Sequence, residues 1–278
     1  MITRRSLVRL VLGTAALGGC DDEPLERPAV EVRYGDDPSQ VAELHLPSGD
    51  RQVPAVVVIH GGFWMSAYGK GLATPLAADL AKHGVAGYAI EYRRVGNGGG
   101  WPATCEDVAA AIDALGDQPR IDPAQVVALG HSAGGQLAVW AAGRPAFAAG
   151  TPGARPRVVL KGAVAQAGVL DLVKAYDERV GGDAVQRLMG SGPADSRVSY
   201  AAASPYEQVP LPVPVALVHG TDDRQVPIEQ SRRYSDAVRR AGGQVRLTEL
   251  PRVGHFELID PEHDAWVACR DETLRLLG

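Results

Sequence analysis

Gly130-His131-Ser132-Ala133-Gly134 sets a serine between two glycines, directly after the apolar run 126–129 and ahead of an Ala-rich stretch over 132–142. A serine on a sharp strand-to-helix turn adopts a strained backbone that leaves its hydroxyl exposed. Glycines two residues before and after are needed because side chains there collide with the turn or a neighbouring strand. The following helix also aims its free N–H groups at developing negative charge. That is the chemistry of a nucleophile in acyl transfer. The alternative is a serine that only caps the helix after it; the buried strand before it and the helix after it favour the nucleophile. His131 fills space near the turn, and the general base must come from elsewhere because adjacent residues in such a turn point apart.

Acyl transfer also needs N–H donors where the tetrahedral oxyanion forms. His60-Gly61-Gly62-Phe63-Trp64 follows the apolar run 54–59, and glycines there let the backbone approach closely. The expected donors are the amides of Gly62, Phe63 and Ala133. Phe63, Trp64 and His131 are expected to line the substrate pocket. Taken alone, this stretch could be an ordinary Gly-rich turn with His60 satisfied in the core.

In the fold that sets a serine on such a strand–turn–helix elbow, the acid and then the histidine follow it in the chain. The run 213–219 ends in His219-Gly220-Thr221-Asp222-Asp223-Arg224-Gln225-Val226-Pro227, and after the next apolar run comes Gly254-His255. The first stretch resembles H-G-x-x-D-x-x-V-P, which selects Asp223 over Asp222. Asp222 is then expected to bond its own loop backbone. Asp171 is a more distant candidate, better suited to capping a helix from Leu172. His255 is the expected base, taking the Ser132 proton while Asp223 fixes its tautomer. His263 reads as a surface residue inside the last helix, and His45, His83 and His219 as packing or solvated residues. No spacing suggests a metal site, and the chemistry requires no cofactor.

These loops must be held by strands and helices in alternation. Short apolar, β-branched runs fall at 54–59, 85–92, 125–129, 158–165, 213–219 and 244–250. Such runs suit strands buried on both faces. Helical periodicity covers 72–83, 106–115, 132–142, 228–241 and 261–277, with Pro75 in a first turn. The pattern predicts an α/β fold with a mostly parallel, doubly wound sheet. The runs 29–33 and 41–46 predict an antiparallel edge, and the polar, Gly-containing stretch 170–205 a small cap.

The 278 residues suit one large domain, over 29–278. Residues 1–19 carry three arginines and an apolar, small-residue run, the layout of an export signal. Thr3-Arg4-Arg5-Ser6-Leu7 resembles a twin-arginine signal, and Leu17-Gly18-Gly19-Cys20 a bacterial lipobox. The reading is a lipoprotein acylated at Cys20, tethered through 20–28 and held at the cell envelope, with no membrane contact beyond that anchor. Outside the cytoplasm Cys105 and Cys269 could pair. Their predicted helices lie on opposite sheet faces, however, which favours two buried thiols. A net charge of −5 without a Lys/Arg cluster argues against a nucleic-acid partner.

With these residues in hand, the chain resembles the esterase/arylformamidase branch of the α/β-hydrolase superfamily, and is similar to the BD-FAE and kynurenine formamidase groups. The likeness spans about residues 50–278. It rests on HGGFW (60–64), Glu91-Tyr92-Arg93, Trp101-Pro102 with Glu106-Asp107-Val108, GHSAGG (130–135), Ser204-Pro205, HGTDDRQVP (219–227) and GHFELIDP (254–261). The resemblance implies an α/β-hydrolase fold and hydrolysis of small or aryl carboxylic esters, or of formamides, with Gly62 and Phe63 as oxyanion donors. The export signal departs from the formamidases, whose substrate is intracellular. A third expectation is a non-catalytic binding protein on the same fold.

Overall fold

The structure is a computed structural model, and it describes residues 28–278. The signal 1–19, Cys20 and nearly all of the tether 20–28 lie outside the described residues.

Eight strands form one sheet: β1 (Val30–Arg33), β2 (Val41–His45), β3 (Val53–Ile59), β4 (Ala86–Ile90), β5 (Ile121–His131), β6 (Gly162–Gln166), β7 (Val215–Gly220) and β8 (Val245–Leu250). Their order is β1-β2-β4-β3-β5-β6-β7-β8. The two N-terminal strands pair antiparallel, Val30 opposite Leu44, and β2 runs antiparallel to β4. All later pairings are parallel. The expected sheet, with its antiparallel edge, is the one observed.

Alternation along each strand sorts the core into two layers. Val57 and Ile59 face one apolar cluster with α2 (Ala103–Ala114), α3 (Ala133–Gly143) and α7 (Glu229–Arg240). Val56 and Val58 face a second cluster with α1 (Thr74–Lys82) and α8 (Asp264–Leu277). Cys105 in α2 and Cys269 in α8 therefore belong to opposite faces, and both are buried free thiols.

The stretch 170–205 folds into three short helices, α4 (Leu172–Asp177), α5 (Ala184–Met189) and α6 (Arg197–Ala203). Two buried side chains of α3 tie this cap down: Gln136 Nε2 donates to Ala203 O at 2.9 Å, and Trp140 Nε1 to Ala202 O at 3.0 Å.

Element ends differ from expectation where side chains intervene. The apolar run at 158 does not begin a strand, because the Val158 amide donates to Asp113 Oδ1 at 3.1 Å instead of to a sheet neighbour. Helix α8 starts at Asp264 rather than 261. His263 is its N-cap, the ring Nδ1 accepting from the Ala265 amide at 3.0 Å, so this histidine is a cap and not a mid-helix surface residue.

Candidate active site

Ser132 closes β5 and opens α3 with φ 56° and ψ −118°, a sparsely populated conformation for a residue with a side chain. A Cβ at Gly130 would lie 2.0 Å from Gly134 O, and one at Gly134 would lie 2.1 Å from Ile59 O. The two glycines therefore let the turn fold on itself and press against β3. The Ser132 amide is held by Gln166 O at 2.8 Å, on the neighbouring strand. Its side chain caps nothing in α3. The capping alternative is thus set aside, and the hydroxyl is left for other work.

Asp223 and His255 come together from the loops after β7 and β8. His255 Nδ1 donates to Asp223 Oδ2 at 2.6 Å. The other carboxylate oxygen, Oδ1, accepts from the amides of Gln225 (2.8 Å) and Val226 (2.9 Å). Burial opposes the charge on Asp223, but the hydrogen bonds from His219 and His255 outweigh it and hold the carboxyl well below the usual carboxylate range. Asp222 does not bond its own loop backbone as expected; its Oδ1 accepts from Thr221 Oγ1 at 3.2 Å. Asp171 caps α4, accepting from the Lys174 amide at 2.9 Å, as anticipated.

His255 is docked against the serine turn through His131. The two rings lie 4.3 Å apart, and His131 Nε2 is 3.0 Å from His255 O. A carbonyl can only accept, so the proton sits on Nε2 of His131. Burial and the neighbouring His255 push the His131 pKa down to about 3, which keeps the ring neutral. No hydrogen bond joins Ser132 to His255 among the described residues. Such contacts commonly tighten only once substrate is bound.

The loop after β3 carries three consecutive positive φ values: Gly62 (111°), Phe63 (53°) and Trp64 (55°). A Cβ at Gly61 would lie 3.0 Å from Ser132 Cβ, so this loop runs against the serine itself. Among the described residues the amides of Gly62, Phe63 and Ala133 donate to no protein acceptor. The loop is held from behind by Glu91. Its Oε1 lies 3.0 Å from both His60 Nε2 and Arg94 Nη1, and its Oε2 accepts from the Lys70 amide at 3.0 Å. Burial opposes the Glu91 charge, yet His60, the Lys70 amide and Arg94 together hold its carboxyl below the usual range. Tyr92 completes the support: it stacks on His60 at 4.4 Å and donates to His60 O at 2.8 Å.

Trp64 and His131, expected at the substrate pocket, are enclosed supports. Trp64 is 1% exposed and donates its indole N–H to Gln136 Oε1 at 3.0 Å, while His131 is 4% exposed beneath His255. Phe63 is half-buried, and its ring occupies the space where a Cβ at Gly181 of the cap would sit, 2.4 Å away.

Sequence reasoning missed His219. Fully buried, it places Nε2 3.0 Å from Val226 O and 3.3 Å from Asp223 Oδ2, and Nδ1 2.8 Å from Ser231 Oγ on α7. The Val226 carbonyl requires a proton on Nε2, and that N–H is shared with the Asp223 carboxylate. The signal available was the histidine four residues before the acid; Ser231 is far off in sequence and gave none. Among the described residues no group of three or more His, Cys, Asp or Glu is arranged to hold a metal ion.

An eight-stranded, mostly parallel sheet with a strained serine at its central strand-to-helix turn defines an α/β hydrolase. Within that class the chain belongs to the BD-FAE family, whose profile matches residues 43–238. It is 32% identical to the probable carboxylic ester hydrolase LipM of Mycobacterium tuberculosis over 231 residues, 79% of this chain and 53% of that one. It is 30% identical to esterase LipC of the same organism over 258 residues, 82% of this chain and 60% of that one. The chain thus spans little more than half the length of these relatives. Among solved structures it is similar to a truncated carbohydrate esterase from gut microbiota (TM-score 0.78, 22% identity, 92% of this chain and 98% of that one). It is also similar to butyrate-bound Est2 of Thermogutta terrifontis (TM-score 0.72, 22% identity, 90% and 93%). At those identities the likeness concerns the fold.

Proposed function

We propose that the chain is a serine carboxylesterase that cleaves small or aryl esters through an acyl-enzyme at Ser132, with His255 as general base and Asp223 as its orienting acid. The observation that carries the reading is the 2.6 Å His255–Asp223 hydrogen bond, docked through His131 against an uncapped serine in a strained turn. Because Asp223 accepts from Nδ1, the free nitrogen of His255 is Nε2, the acceptor needed for a hydroxyl proton. Ser132 Oγ attacks the ester carbonyl as its proton passes to Nε2. The carbonyl oxygen takes up the negative charge, facing the amides of Gly62, Phe63 and Ala133. Each such donor is worth about 3 kcal/mol in the transition state. Collapse expels the alcohol, which takes the proton from His255. Water then attacks the acyl-enzyme by the same route, releasing the acid and restoring the serine. The named relatives, a probable carboxylic ester hydrolase and an esterase, support the same chemistry.

The test is turnover of short p-nitrophenyl esters by the wild type and by Ser132→Ala. The variant is expected to keep its fold and lose activity by about 10⁴-fold or more. Retained turnover, or failure of a fluorophosphonate to label Ser132, would overturn the proposal and favour a binding role. N-formylkynurenine, assayed beside acetyl and feruloyl esters, separates ester from formamide hydrolysis.

A further inference from the structure

The turn after α4 and the loop after β7 face each other across a groove of about 480 Å³, bordered by Glu178, Arg179, Thr221, Asp223, Arg224 and Glu229. Glu178 pairs with Lys174 at 3.1 Å, Glu229 shares Arg232 with Glu249 at 3.1 and 2.8 Å, and the buried Asp223 carboxylate is held by its two histidines. Arg179 and Arg224 are both exposed, and neither has an acidic partner among the described residues. Arg179 and Arg224 are thus the two cations of the groove that no carboxylate holds, and both are open to an anion from solution.

The backbone of Arg179 is also held in place, in the left-handed region at φ 55°, its amide donating to Tyr176 O at 3.1 Å and its carbonyl accepting from the Gly182 amide at 2.8 Å. Two residues on, Gly181 meets the ring of Phe63. Gly181 and Asp223 both line the groove, so it adjoins the loop of the acid on one side and, through Phe63, the loop proposed to hold the oxyanion on the other.

We propose that this groove is a subsite for a carboxylate carried by the substrate, with Arg179 and Arg224 as its two positive contacts; the inference rests on the esterase reading of the adjoining site. Guanidinium groups match a planar carboxylate, and two of them facing one groove favour an anionic ester over a neutral one of the same shape.

The test compares 4-acetoxybenzoate with 4-acetoxybenzamide, which differ at the far end of the ring. The quantity is the ratio of their kcat/KM values. In the wild type this ratio is expected to exceed that of the Arg179→Gln/Arg224→Gln double variant by about tenfold at low salt. High salt should bring the wild-type ratio towards that of the variant, because the contacts are exposed. The Arg179→Lys/Arg224→Lys variant keeps both charges and should retain most of the preference, which separates charge from general damage. An equal ratio in wild type and Gln variant, with the benzamide ester hydrolysed, overturns the subsite alone. Hydrolysis of neither ester, nor of a p-nitrophenyl ester, overturns the esterase reading and the subsite with it.

Discussion

Replacing His219 with Phe tests whether the acid of the proposed triad is held by two histidines rather than one. The ring shape is roughly kept, so packing is spared, but three polar contacts are lost. Val226 O and Ser231 Oγ lose a buried partner, and Asp223 Oδ2 loses the 3.3 Å contact. A buried group left unpaired costs about 1–3 kcal/mol. Val226 O keeps a second lone pair and the Asp223 contact is long, so the total should lie near 3 kcal/mol at neutral pH. For a domain of this size that is a fall in Tm of about 6–12 °C. The loss should depend on pH with a definite sign. The Asp223 carboxyl is depressed in the folded protein, so its contribution is present above the unfolded value of about 3.9 and is lost as pH falls through the folded value. Removing His219 lets the folded value rise, so the gap between wild type and variant should be widest near neutrality and narrow below about pH 4. A freer carboxylate also orients His255 less well. We expect kcat to fall about ten- to a hundredfold, with KM little changed. Thermal unfolding at several pH values and steady-state kinetics read both effects. A stability gap that does not vary with pH, together with an unchanged kcat, would refute the reasoning and leave His219 as a packing residue.

Two further outcomes follow from the same geometry. Ser132→Gly should be inactive yet more stable than the wild type by about 1 kcal/mol, since glycine accepts φ 56° without a steric penalty; equal or lower stability by calorimetry counts against strain at the turn. Glu91→Ala strips the loop of its acceptor for His60 and leaves Arg94, 6% exposed, without its carboxylate; a loss of about 3 kcal/mol in denaturant titration is expected, with kcat reduced more than KM is raised.

Much of this molecule was legible in its sequence, because the informative features are local. The serine turn announced itself through two glycines whose absent side chains make the contact with β3 possible. Asp223 was separable from Asp222 by its spacing to Val226-Pro227, and the structure shows why spacing matters: the Val226 amide is one of the groups that grip the carboxylate. What stayed hidden depends on neighbours made by the sheet. Glu91 meets His60 only because β4 lies beside β3, and Ser231 meets His219 only because α7 packs back on β7. Trp64 looked like a pocket wall because it follows the glycine loop, but its left-handed backbone turns the indole towards Gln136. Strand ends were misread where a carboxylate, such as Asp113, captured an amide that apolar character alone assigned to the sheet.

The contact between Phe63 and Gly181 also constrains how this protein can diversify. A larger residue at 181 would push the ring and with it the amide proposed as an oxyanion donor, so on that proposal a change at 181 would damage turnover as well as selectivity. Changes of selectivity that keep glycine at 181 leave that coupling intact.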